Sequence, residues 1–210
     1  QRTLQAHGLT CHLITSHALQ AMEPALRTGL AGALHVPGDS AVYAPHAAKW
    51  LLNRWPDRVH VQQATVLAIE EGRVQLDNRQ WLHASAVVLA NGIHATQLCP
   101  ELPITPKKGQ LLITDRYPGE VHHQLVELGY ITSAHHSTGP SVAFNLQPRP
   151  TGQLLLGSSR QFDSTSSEVD ADMMAHMLDR ALTDMPGLAD LNAIRCWPGP
   201  VPYSQLTLPP

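Results

Sequence analysis

Apolar and polar positions alternate loosely over residues 8–15, GLTCHLIT, and predict a short strand. Ser16 follows as the expected N-cap of a helix, HALQAME, with Pro24 near its end. LAGALHVPGDSAVYAP carries Gly32, Pro37 and Gly38 between apolar positions and predicts strand, turn, strand. Pro45 suits the first position of a helix, PHAAKWLLNRW, that Pro56 ends. Ala48, Leu51, Leu52 and Trp55 share one face of it. RVHVQQ predicts another strand, and TVLAIEEGRVQLD a hairpin turning at EEGR. In AVVLANGIHATQ, residues 86–97, the apolar run 87–90 is continuous rather than alternating. Such a run suits a strand covered on both faces, as in a parallel sheet.

From Pro106 the texture changes. KKGQLLITDR, ELGYITSAHH, SVAFNLQP and GQLLLGSS are strand-like segments broken by glycine and proline, with RPTG as a hairpin turn. They predict a mainly antiparallel sheet. SEVDADMMAHMLDRALTDMPG is the clearest helix, with Met173, Met174, Met177, Leu178, Ala181, Leu182 and Met185 at helical spacing and Pro186–Gly187 as its stop. Methionine fills irregular gaps, so this stripe reads as core packing. The tail begins as a strand, and its prolines exclude a central position in a sheet.

Composition narrows the function classes. The chain has 210 residues, 43% hydrophobic and 15% charged, with a formal net charge of -3. That supports a folded core and gives no basic patch for nucleic acid. No run of about 18 apolar residues suggests a membrane span. The start, QRTLQAHGLT, has neither methionine nor a signal-peptide layout and reads as an interior point of a longer protein. Three scattered cysteines, Cys11, Cys99 and Cys196, form no CxxC pair and favour a reducing, cytoplasmic setting.

Candidate chemistry is sparse. The 13 histidines include His122–His123 and His135–His136, yet no HxxxH or HExxH spacing and no carboxylate in register suggests a metal. LLLGSSRQF lacks the second glycine of a nucleophile elbow, so Gly157, Ser158 and Ser159 read as turn residues. Neither GxGxxG nor GxxxxGK[ST] is present. ASAVVLANG ends in small residues that would let a ligand approach closely, although a buried strand and a plain turn would look the same.

The order of segments carries more. ALQAMEPAL matches an EPxL segment, and GALHVPGDSAVYAPHAAKWLL a strand-to-helix stretch. ASAVVLANGIHATQL is similar to xxVVxAxGxWxxxL, and LPITPKKGQLLITD to PxxPxxGQxL. QPRPTGQLLLGSS is similar to PRxxGxxxxGxT, and DMPGLADLNAIRCWPG to LPxLxxxxxxxxWxG. In this order the chain resembles the D-amino-acid oxidase superfamily of FAD-dependent oxidoreductases, which includes glycine and sarcosine oxidases. Its wording is closest to D-hydroxyproline dehydrogenase-type subunits.

The resemblance implies an α+β / α/β chain: a partial FAD-binding α/β domain plus an antiparallel-sheet substrate domain with flanking helices. Residues 1–102 would be the incomplete FAD-binding portion with an inserted segment of the substrate domain. Residues 103–192 would form the substrate domain, and 193–210 a return strand and irregular tail. FAD would accept a hydride from an amino acid or secondary amine, and water would hydrolyse the resulting imine. Val66 matches a position whose backbone lies against the adenine side of FAD. Ala90, Asn91 and Gly92 match the small-residue turn near the dinucleotide. Asn145 aligns with a position often held by a substrate-contacting tyrosine, and Gly109–Gln110 with the GQ that opens a sheet strand. No catalytic residue and no metal ligand carries over.

The departures are specific. The family's GxGxxG unit, roughly 30 residues of βαβ, is absent, as is its ribose-binding acid. Val201 stands where a carboxylate-binding arginine belongs, and after Trp197 and Gly199 the pattern dissolves. A truncated or frame-shifted piece of a longer enzyme is the first reading. A non-catalytic assembly module, whose partner supplies the nucleotide loop, is the second. A His-dependent hydrolase is a weaker third.

Overall fold

The computed structural model describes residues 1–130 and 139–204. Along the chain run α1 (Arg2–Ala6), β1 (His12–Thr15), α2 (Ser16–Met22), β2 (Gly32–His35), α3 (Ala44–Arg54), β3 (Val66–Glu70), β4 (Arg73–Leu76) and β5 (Trp81–His83). A 3-10 turn (Gly92–His94) leads into α4 (Ala95–Leu98), followed by β6 (Ile104–Arg116), β7 (Leu125–Val126), β8 (Ser141–Pro148) and β9 (Gln153–Phe162). Then come α5 (Ala171–Asp184), a 3-10 turn (Pro186–Asp190) and β10 (Ala193–Ser204).

The chain separates into two compact units. One joins Gln1–Ala41 to Lys107–Pro200. It contains the hairpin β1–β2 and a five-stranded sheet in the order β10-β6-β9-β8-β7. The registered pairs β6–β9, β7–β8 and β8–β9 are antiparallel. Prolines in β10 fit its place at the sheet's edge, where missing N–H donors cost no ladder bond. α5 lays its apolar stripe on this sheet. Met174, Met177, Ala181 and Met185 join Leu112, Phe144, Leu146, Leu154 and Leu156 in one buried cluster, as the spacing of the stripe predicts. Asp170 caps α5 by accepting from the Met173 N–H at 3.0 Å. Leu19 and Leu26, around α2, complete the cluster.

The other unit is built on Val42–Pro106. It holds α3, the three-stranded antiparallel sheet β3-β4-β5 and α4. The hairpin turns at Glu71–Gly72, where Gly72 takes φ +71, as EEGR predicts.

Several local expectations need correction. Thr15, not Ser16, caps α2: its hydroxyl accepts from the Ala18 N–H at 3.3 Å. β2 is followed by no second strand before α3, and RVHVQQ forms none, because alternation alone supplies no ladder partner. Residues 87–90 lie in no sheet among the described residues, and Val88 is 86% exposed. An apolar run becomes a doubly covered strand only where neighbours pair with it. β7 is a two-residue strand, and residues 127–130 turn away from it. The rest of ELGYITSAHH, with His135 and His136, lies outside the described residues. Gly157, Ser158 and Ser159 sit within β9 and not in a turn, since the ladder to β8 runs through them.

Candidate functional site

In the sheet unit, strand alternation sorts β8 into two faces. Phe144 and Leu146 face α5, so Asn145 between them faces the other way. On β9, Gln161 donates to the α5 cap Asp170 at 2.6 Å, which turns its neighbour Arg160 away from the helix. The β8–β9 register shifts between Val142 and Asn145, so that Ser141 pairs with Arg160 and Asn145 with Gly157 across the ladder. The Arg160 guanidinium lies 4.8 Å from the Tyr130 ring centroid. Lys107 places its ammonium 4.1 Å from the Phe162 ring. Burial, and then the charge of Arg160, hold its pKa below the usual lysine range.

Tyr130 is also a wall of a cavity of about 460 Å³, bounded by His35, Pro37, His123, Val126 and Leu128 among others. One side of this region is fixed by Glu23, which is 2% exposed. Its carboxylate accepts from the His122 N–H at 3.0 Å and lies 2.6 Å from Nδ1 of His123. His123 in turn meets the His35 ring edge-on at 5.7 Å. Below, Arg27 bonds Asp184 at 3.1 Å, and Arg180 bridges Asp184 at 3.0 Å to Glu127 at 2.6 Å. These pairs tie the α2 connection and the segment after β7 to α5. Among the described residues, no three His, Cys, Asp or Glu side chains converge as a metal ion requires. No helix of the described residues is long and apolar enough to cross a membrane.

In the other unit, Val66 begins β3 and pairs with Leu76 at a register shift. Ala90 and Asn91 are exposed and lead into Gly92, whose φ is +62. A Cβ on Gly92 would meet nothing within 4 Å. The turn is thus small and open on its outer side, the form a ligand backbone approach requires.

The pattern of the FAD dependent oxidoreductase (DAO) family matches residues 1–209. The chain belongs to this family. FAD is the family's cofactor. An opine oxidase subunit of Rhizobium meliloti is 24% identical over 211 residues, covering 93% of this chain and 51% of that protein. D-amino-acid oxidase of Streptomyces coelicolor is 32% identical over 111 residues, 53% of this chain and 31% of that one. Glycine oxidase from Geobacillus kaustophilus shares the fold, with a TM-score of 0.82 at 23% identity, over 99% of this chain and 55% of that structure. The chain spans about half the length of the longest-matching of these relatives.

The residues present fit one flank of the family's cofactor. The turn at 90–92 leaves open space beside Gly92, whereas the glycine-rich phosphate loop is absent from the sequence. Arg160, Ser158 and Glu23 were not singled out by sequence reasoning as functional. GSSRQF reads as a turn until β9 is seen to run through it, and Glu23 follows a helix without any marker of burial.

Proposed function

We propose that the chain is part of an FAD-dependent enzyme that oxidises the C–N bond of an amino acid or secondary amine. The observation that supports the reaction class is the family match across residues 1–209. The names of the matched relatives, glycine oxidase, D-amino-acid oxidase and opine oxidase, support an amine or amino-acid substrate. In this reading Val66, Ala90, Asn91 and Gly92 hold the adenosine side of FAD, and Asn145 contacts substrate. The domain roles follow: 1–102 would supply the FAD-binding portion and its inserted segment, 103–192 the substrate domain, and 193–210 the return strand and tail. Bound FAD supplies hydride acceptance. The chain's own part is to bind, orient and shield the substrate on the sheet face that carries Asn145.

The exposed run 87–90 supports the reading that these residues act with further polypeptide that supplies the nucleotide loop. A second reading is an assembly module whose partner carries that loop. It draws on the opine oxidase relatives, which are named as single subunits of a larger enzyme. The test is visible flavin absorbance per mole of chain after purification with added FAD. Weak or no retention is expected. Tight stoichiometric FAD with turnover of glycine or proline would overturn the incomplete-site reading.

A further inference from the structure

Protein cores rarely leave a void larger than a water molecule. The sheet unit leaves a pocket of about 210 Å³ on the helix side of its sheet, between the second half of α5 and the 3-10 turn Pro186–Asp190. Leu146, Leu154 and Leu156, all buried, form its floor. On α5 the wall includes Ala181, a small residue among the larger apolar side chains of the stripe. Leu188 and Leu191, which pack against the core from the turn, continue the wall. Ala189 and Ala193 also line the pocket and are exposed, so a small molecule can enter beside them.

The chemistry of the interior selects its occupant. Among the described residues that line it, only Thr114 has a polar side chain. Its hydroxyl donates to the Asp115 carbonyl at 2.7 Å and accepts from the Leu154 N–H at 3.0 Å. A trapped water needs two to four polar partners, and a hydroxyl already engaged as donor and acceptor is a poor one. An aliphatic cavity of about 150 Å³ is large enough for a benzene ring or a xenon atom. We propose that this pocket binds a small hydrocarbon group, a single aromatic ring or a short alkyl chain. The occupant supplies the dispersion contacts that the lining lacks when the pocket is empty. The site lies on the face of the sheet opposite Asn145, so it goes beyond the reaction proposed above and does not rest on it.

The test is titration of the full chain with benzene and with pyridine, followed by leucine methyl NMR shifts and by melting temperature. Benzene should shift the pocket's leucine methyls saturably and raise the melting temperature, because it binds the folded chain and not the unfolded one. Pyridine has the same shape but buries a ring nitrogen with no donor to meet it. It should bind about tenfold or more weaker, the cost of one buried group left without a partner. Ala181→Leu fills the pocket from α5 and should abolish the saturable shifts. Ala193→Leu narrows it from an exposed position and should weaken benzene about tenfold or more, the loss expected when a methylene-rich side chain takes the ligand's space. Leu51→Ala, on the exposed face of α3, should leave the shifts unchanged. Shifts that never saturate, pyridine binding as tightly as benzene, or both alanine variants binding benzene as the wild type does overturns the site. If Ala181→Leu does not fold, Ala193→Leu and the comparison of benzene with pyridine decide. None of these readouts involves flavin, so their failure leaves the oxidoreductase reading where it stands, and weak flavin retention leaves the pocket where it stands.

Discussion

At the scale of single residues, the contacts that matter most are those that sequence patterns do not flag. Asp170 accepts from the Met173 N–H at the start of α5 and from Gln161 at 2.6 Å. These bonds hold its pKa below the usual aspartate value, the backbone bond contributing most. A carboxylate whose folded pKa is depressed stabilises the fold above the unfolded pKa and loses that contribution as pH falls through the folded one. Wild type should therefore melt higher than Asp170→Asn at neutral pH. The gap should close as pH drops below about 4, where unfolded aspartate protonates. Melting curves over acid pH check this, and a gap unchanged down to the acid limit would remove the cap from the account. Gly32 shows a different residue-level constraint. Its φ is +147, and a Cβ there would stand 2.2 Å from the Ile14 carbonyl oxygen, so the β1–β2 hairpin needs glycine at that point.

At the scale of elements, α5 and α3 make an instructive pair. Both were legible as helices from spacing, and both form. α5 buries its methionine stripe, with Met177 1% exposed. Met177→Ala should cost about 2–5 kcal/mol, whereas His176→Ala on the exposed side should stay within about 0.5 kcal/mol. Urea unfolding of the two variants measures the difference, and equal small losses would mean that the stripe is not core. α3 carries a clear apolar face too, yet Leu51 on it is 53% and Trp55 51% exposed. Periodicity shows that a face is built for burial, but not what buries it. The same holds for strands: the hairpin at EEGR was readable because both its partners are adjacent in sequence. The run 87–90 was not, because a strand needs neighbours that no local pattern names.

At the scale of the whole molecule, the exposed face of α3 and the uncovered run 87–90 belong to the same unit, built on Val42–Pro106. Exposed apolar area of this kind marks an interaction surface. The proposed oxidoreductase therefore makes a prediction about assembly. Co-expression with a GxGxxG-bearing polypeptide of the family should raise the flavin retained per chain and protect Trp50 and Trp55 from fluorescence quenching by iodide. A monodisperse monomer that neither captures such a partner nor changes its quenching would count against the second, assembly-module reading.

The family and the antiparallel sheet with its covering helix were readable from the order of short motifs and from apolar spacing. Both are properties of neighbouring residues, and local propensity and burial periodicity act at that range. That the chain turns at Ala90, Asn91 and Gly92 was readable too, because small residues follow the apolar run there, but the same residues would mark a plain turn. What only the tertiary structure decided is which polar groups meet. Glu23 meets His123 from a distant segment, and Asn145 faces Gly157 through the register of one ladder. Pairing between distant segments is set by the global packing of sheet on helix, and no window of sequence contains it.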